Sequence, residues 1–223
     1  MTKQIHLTRR SPYYWRVTIN RPPLNIFGPD TIPQLNDAIT AIETDEQVKV
    51  VVFDSAIEGF FLTHYDFLAK IEDTTSLPPG PTGLQPLPDM LVRLSRAPVA
   101  SIALIRGRAL EVFLGADDFP GDLAERYGYV NRSLPDAELD EFVDSLANRI
   151  ASFDKRVISE TKRFVDVASL PPDYEIAPEW DVCFASIMRA PAQERIKKLM
   201  EQGFHKPGDV ENRLGHYVGQ VGR

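Results

Sequence analysis

The 223-residue chain has a single cysteine, Cys183, so no intrachain disulfide can form. That fits a reducing compartment. Its place in a helix-like apolar run reads as a buried core thiol rather than a nucleophile. Long apolar runs are also missing, and none approaches the length of a membrane span. The opening "MTKQIHLTRR" lacks the apolar core of a secretory signal. The closing "GQVGR" is not a peroxisomal address of the Ser-Lys-Leu type. These absences make a cytoplasmic protein, off the membrane, the expectation. Positive charge is in deficit, with 25 Lys and Arg against 32 Asp and Glu and a formal charge of −7. That argues against a nucleic-acid partner. The histidines His6, His64, His205 and His216 have no metal-ligand spacing, so no metal is expected. No Gly-x-Ser-x-Gly elbow, P-loop or Rossmann glycine pattern occurs.

What is present reads as a soluble α/β protein, with 43% apolar and 26% charged residues. "YWRVTINR" alternates, Trp15, Val17 and Ile19 to one side and Arg16, Thr18 and Asn20 to the other, as in a half-buried strand. From Thr31 the period changes. Ile32, Leu35, Ile39 and Ile42 fall at helical spacing, and the helix is expected to end near Thr44–Asp45. "VKVVVFD" is nearly all apolar and β-branched, a strand covered on both faces. "EGFFLTHYDFLAK" reads as an apolar segment turning into a helix start, a turn that can aim backbone N–H groups outward. "TTSLPPGPTGLQPLP" reads as a flexible loop or lid. "DMLVRLSRAP" is a short helix and "VASIALI" a second buried strand, which favours α/β over an all-helical fold.

Past Gly115 the chain turns helical. "DLAERYGYVNRSLP" reads as helix, Gly128 stop and short strand. "DAELDEFVDSLANRIASF" puts Leu139, Phe142, Val143, Leu146, Ile150 and Phe153 on one stripe. "DKRVISETKRFVDVA" is amphipathic, Pro191 breaks the next helix, and the tail "KPGDVENRLGHYVGQ" reads as a short polar helix or frayed end. Residues 1–153 are therefore expected as the α/β core. Residues 154–223 are expected as a helical region suited to packing, including self-association. The adjacent Asp117 and Asp118 do not face one point and read as a solvated cap. Glu111 reads as a first-turn glutamate favoured by the helix dipole, with a general base as the less favoured reading.

Four stretches together resemble the crotonase family, the enoyl-CoA hydratase/isomerase superfamily. "WRVTINRPPLNIFGPDTIPQLNDAI" is similar to its opening strand, Asn-Arg-Pro turn and first helix. "VKVVVFDSAIEGFFLTHYDF" is similar to its second strand and Phe-x-x-Gly-x-Asp turn. "RAPVASIALIRGRA" resembles the strand entering the family's Gly-Gly-Gly turn. "ALEVFLGADDFPGDLAERYGYVNRSLPDAELDEF" resembles a later helix and the segment leaving the core. The resemblance implies a ClpP/crotonase-type spiral core and an acyl-CoA thioester as ligand. Coenzyme A would enter only as part of that thioester, with no other cofactor, and assembly would be a trimer-based homo-oligomer.

In this family two backbone N–H groups hold the thioester oxygen, where charge builds as an enolate forms. The resemblance makes the Tyr65 N–H, before Asp66, the first donor. Thr63, His64, Tyr65, Asp66 and Phe67 would receive the adenine and pantetheine portions. Leu24, Asn25 and Ile26 would line the other side of the groove. His64 stands at the family's glycine position, where a β-carbon limits positive φ. The second donor and the acid/base carboxylate, by contrast, have no counterpart. "GRA" runs straight into "LEVFLG" at Arg108–Ala109, as though a block on the order of fifty residues were missing. Losing one oxyanion donor costs roughly a hundredfold to a thousandfold in rate. Losing the general base costs roughly a hundredfold to ten-thousandfold. The expectation is thus a truncated crotonase-like protein that binds an acyl-CoA with weak or lost catalysis. The alternative is a non-catalytic CoA-ester binder, or a pseudo-subunit assembling with complete paralogues. Neither the acyl group nor the ancestral reaction is readable from the sequence.

Overall fold

The computed structural model describes residues 2–106 and 118–221. Four strands form one sheet: β1 (Ile5–Arg9), β2 (Tyr14–Ile19), β3 (Val50–Ser55) and β4 (Ala100–Ala103), in the order β1-β2-β3-β4. β1 runs antiparallel to β2 through a turn in which the Tyr13 and Tyr14 N–H groups donate to Ser11 Oγ. β2, β3 and β4 are parallel, joined by crossovers through α1 (Ile32–Thr44) and α3 (Pro86–Arg96), with the short α2 (Ile71–Thr75) before α3. Parallel neighbours need such helical crossovers.

The two faces of the sheet are buried differently. Trp15, Val17, Ile19 and Val51 face a core closed by Ile32, Leu35, Ile39 and Ile42 of α1 and Met90 of α3. Tyr14, Val50, Val52 and Leu104 face the opposite way, against Val143, Ala147 and Ala151 of α5 (Asp136–Ala151). β3 is covered on both faces, and its valines therefore do not alternate with polar residues. The expected α5 stripe is rotated. Phe142 and Phe153 are exposed, Leu139, Val143 and Ile150 pack toward the sheet as expected, and the fully covered positions are Val143, Ala147 and Ala151, spaced by four. Small side chains let the helix lie close to the β-branched surface, and Tyr14 Oη and Arg16 Nη2 fix the rotation by bonding Asp144 at 2.6 and 3.1 Å.

After α4 (Gly121–Arg126), Gly128 adopts φ 79° as the expected stop, but no strand follows it before α5. The proline-rich segment is less loop-like than expected. Thr74 and Thr75 end α2, Pro86–Pro88 begin α3, and the middle is pinned where Thr82 N and Oγ1 donate to the buried Asp89 carboxylate.

Four helices complete the chain after α5: α6 (Lys155–Ser169), α7 (Asp173–Ile187), α8 (Ala190–Gln202) and α10 (Leu214–Val221), with the one-turn α9 (Asp209–Asn212) between the last two. The break expected at Pro191 is there, with Pro191 in the first turn of α8. Lys162 of α6 donates to Leu94 O and Ala97 O, carbonyls left open at the end of α3. Cys183 on α7 is exposed, contrary to the buried thiol expected, because α7 half-buries Trp180, Phe184 and Ile187 and leaves Val182 and Cys183 on its outer side. The tail is not frayed. Gly203, at φ 114°, ends α8 in the left-handed conformation that suits glycine. The chain then folds back so that Leu199, Phe204 and Val210 form a small core with Phe67, Leu214 and Tyr217. Among the described residues, no helix is long and apolar enough to cross a membrane.

Candidate functional site

The expected site residues come together at the end of β3. The segments Leu24–Phe27 and Phe60–Phe67 lie side by side, locked by Asn25. Its Oδ1 accepts from Arg21 N at 2.7 Å, and its Nδ2 donates to Ser55 Oγ at 2.7 Å and Phe61 O at 3.1 Å. Asn25 holds φ 54°, a left-handed conformation asparagine tolerates better than most residues. Leu24 and Asn25 are buried and Leu24 O accepts from Thr63 Oγ1 at 3.1 Å. Their side chains therefore build the wall from behind and leave its open side to Thr63–Phe67. The turn does not lead straight into a helix, because α2 starts only at Ile71.

Phe27 and Tyr65 form an isolated parallel bridge. Phe27 N donates to His64 O at 2.9 Å and Phe27 O accepts from Asp66 N at 2.7 Å. In a parallel bridge one residue spends both backbone groups on its neighbours, and the residue opposite turns both of its own to the other edge. Here that residue is Tyr65, whose N–H meets no acceptor among the described residues. Its ring is anchored separately, by a hydrogen bond between Tyr65 Oη and Thr74 Oγ1. Burial pushes the Tyr65 phenol up, and the charges of Asp66 and Asp30 add to that.

Asp66 is oriented by Arg21 Nη2 at 2.9 Å and by Leu68 N at 3.0 Å. Burial works to raise its pKa, but the bonds from Arg21 and Leu68 outweigh it and hold the carboxyl below its usual value. The same guanidinium donates to Ile26 O, tying both segments to one side chain.

The C-terminal segment covers this turn, a feature the sequence reading missed. The His64 ring packs on Phe204 and His205, with centroids 4.3 and 4.7 Å apart. His64 Nε2 lies 3.1 Å from Glu211 Oε1, and His205 N donates to the same oxygen at 2.7 Å. Glu211 is buried, which would raise its pKa, yet the bond and charge of His64 hold it below the usual value. His205 Nδ1 stands 3.7 Å from Asp66 Oδ1. The acidic pair Asp209 and Glu211 in a polar tail, following His205, was the one available signal. His64 itself does not enter the positive-φ region, so the backbone here does without the glycine. Asp118, read as a solvated cap, accepts from Gly215 N of α10 at 3.2 Å. Asp117, Glu111 and the Gly107–Arg108–Ala109 turn, where the family's second donor has no counterpart, lie outside the described residues.

No family model matches the chain. It is 24% identical to the "Probable enoyl-CoA hydratase EchA12" of Mycobacterium tuberculosis over 251 aligned positions, which take in 86% of this chain and 88% of the relative. That alignment is longer than the chain itself, so the relative has positions with no counterpart here. The fold is similar to the crystal structure of a "putative enoyl-CoA hydratase" from Streptomyces avermitilis. The TM-score is 0.86 at 28% identity, over 97% of this chain and 96% of that one. An enoyl-CoA hydratase from Mycobacterium avium subsp. paratuberculosis matches in fold, with TM-score 0.70 and 19% identity over 87% of this chain and 98% of that one. With the strand–helix–strand core, the Tyr65 turn and these relatives in agreement, the chain belongs to the crotonase (enoyl-CoA hydratase/isomerase) superfamily.

Proposed function

We propose that the chain binds an acyl-CoA thioester at Thr63–Phe67, with the Tyr65 N–H on the thioester oxygen and with turnover weak or lost. The observation that carries this reading is the Phe27–Tyr65 bridge, which fixes the Tyr65 N–H on the far edge with no acceptor of its own among the described residues. A preorganised donor of this kind stabilises charge on a carbonyl oxygen. Coenzyme A enters as part of the ligand, and the residues facing it are Thr63, His64, Tyr65, Asp66 and Phe67, with Leu24, Asn25 and Ile26 behind them. Weak turnover follows from the join at Arg108–Ala109, where the sequence passes over the family's glycine turn and acid/base carboxylate. The mycobacterial alignment, longer than this chain, fits a shortened chain. The one cysteine and the lack of a membrane-crossing helix among the described residues suit a cytoplasmic protein.

Calorimetric titration of crotonyl-CoA against free CoA, beside a hydration assay, tests the reading. The thioester should bind more tightly than CoA. Tyr65→Pro, which deletes the N–H, should weaken thioester binding roughly fivefold relative to Tyr65→Phe, the value of about one ordinary hydrogen bond. Equal affinity for thioester and free CoA would rule it out. A second reading, a non-catalytic subunit in a trimer-based or mixed assembly, is favoured by the exposed Val157, Phe164, Val165 and Val167 of α6. Turnover above background rules that reading out.

A further inference from the structure

His64 stands where the family carries glycine, and its ring is fully engaged. Nδ1 lies 2.8 Å from Tyr65 O, and Nε2 lies 3.1 and 3.3 Å from the two oxygens of Glu211. A carbonyl oxygen only accepts, and so does an ionised carboxylate. Both contacts are hydrogen bonds at once only when each ring nitrogen carries a proton, the imidazolium form. The groups around it agree. Glu211 is held in its ionised form, and Asp66, ionised and bonded to Arg21, lies against the neighbouring His205. His205, packed on the ring, is kept neutral by burial and by the charge of His64. Phe204 and Phe67 complete the surroundings and offer no competing acceptor.

The bridge geometry then decides what this cation faces. Tyr65 turns its N–H and its C=O to the same edge, away from Phe27. His64 Nδ1–H already sits on that edge, on the C=O. An oxygen accepted by the Tyr65 N–H would arrive beside it.

We propose that the His64 imidazolium is the second oxyanion donor of this chain, its Nδ1–H shared between Tyr65 O and a thioester oxygen held at the Tyr65 N–H. The inference rests on the thioester reading above. The donor comes from the residue preceding Tyr65, so it does not depend on the turn at Arg108–Ala109. A donor that carries charge makes a hydrogen bond roughly twice as strong as a neutral one. It would therefore polarise the carbonyl more than a backbone N–H in the same place.

The test uses 4-(dimethylamino)cinnamoyl-CoA, whose absorption band moves to the red when its thioester carbonyl is polarised. The whole chain should bind this probe with a red shift. His64→Gln combined with Glu211→Gln removes the cation without leaving a buried carboxylate unpaired. This double variant should fold, as judged by circular dichroism, and bind the probe, but the shift should fall to about half or less. His64→Gly, which restores the family's residue, should show the same loss. A shift unchanged in the double variant overturns the proposal. Wild-type binding without any red shift overturns it too, and leaves the thioester reading standing. Failure of the wild type to bind the probe overturns both.

Discussion

Acid should loosen the C-terminal cover, and His205 sets the size of the effect. Its side chain is 5% exposed, and its Nε2 is buried with no hydrogen-bond partner among the described residues. Burial first, and the neighbouring His64 charge second, lower its pKa from the ordinary 6.5 to about 4 against the opposing charges of Asp66 and Glu211. A histidine depressed in the fold binds its proton first in the unfolded chain. Stability is therefore complete above pH 6.5 and is lost as pH falls toward 4. At 1.36 kcal/mol per pKa unit the whole shift is worth about 3 kcal/mol, of which about 2 kcal/mol is gone by pH 5. Asp66 and Glu211, both lowered, add losses of the same sign at more acid pH. Urea unfolding followed by circular dichroism at pH 7 and pH 5 measures the difference. His205→Asn is the control, because asparagine tolerates the left-handed backbone at residue 205 (φ 66°) and has nothing to titrate. Wild type should lose about 2 kcal/mol more than His205→Asn between the two pH values. The other histidines are common to both proteins and cancel. Equal losses would refute the reasoning.

Two substitutions probe the frame behind the turn. Asn25→Ala leaves Arg21 N and Phe61 O without their partner and puts alanine at φ 54°, so urea unfolding should show a loss of about 3 kcal/mol. Asn25→Asp keeps the acceptor and should lose less. Gly80→Ala would place a β-carbon 2.0–2.4 Å from the Asp89 carboxylate, which is fully buried and held by Thr82 and Arg93. Thermal unfolding should show a cost of about 1–3 kcal/mol, and an unchanged melting temperature would show that the loop gives way freely.

Where burial and sequence period coincide, the fold was legible. Ile32, Leu35, Ile39 and Ile42 marked α1, which ends at Thr44 as the pattern requires. The valine run marked a strand covered twice, and both covers exist. α5 misled because Ala147 and Ala151 look like weak core residues beside Phe142 and Phe153. The sheet selected the small side chains for close approach, and Tyr14 and Arg16, more than 120 residues earlier, set the rotation. α7 misled over Cys183 because its apolar residues do not define one face. The site was half legible. Tyr65 was singled out through the order of motifs, and the residues that hold its backbone in place, Phe27 and Asn25, lie in another of those motifs. Glu211 lies 147 positions from His64, a separation at which no periodicity connects two residues.

That asymmetry bears on function. Everything that orients the Tyr65 N–H precedes the join at Arg108–Ala109: Phe27 through the bridge, Asn25 through Ser55 and Phe61, and Arg21 through Asp66. What covers the turn follows the join: Phe204, His205 and Glu211. The Tyr65 N–H, the donor of the proposed reading, therefore does not depend on the family's second turn for its geometry. A chain without that turn can keep a binding-competent half-site while losing the carboxylate chemistry. His64 is the residue where the two parts meet, bonded to Tyr65 on one side and Glu211 on the other. Glycine at that position offers no side chain to either. The histidine thus ties the cover to the turn, and on the proposed reading this connection sets its Nδ1–H at the edge where the thioester oxygen would lie.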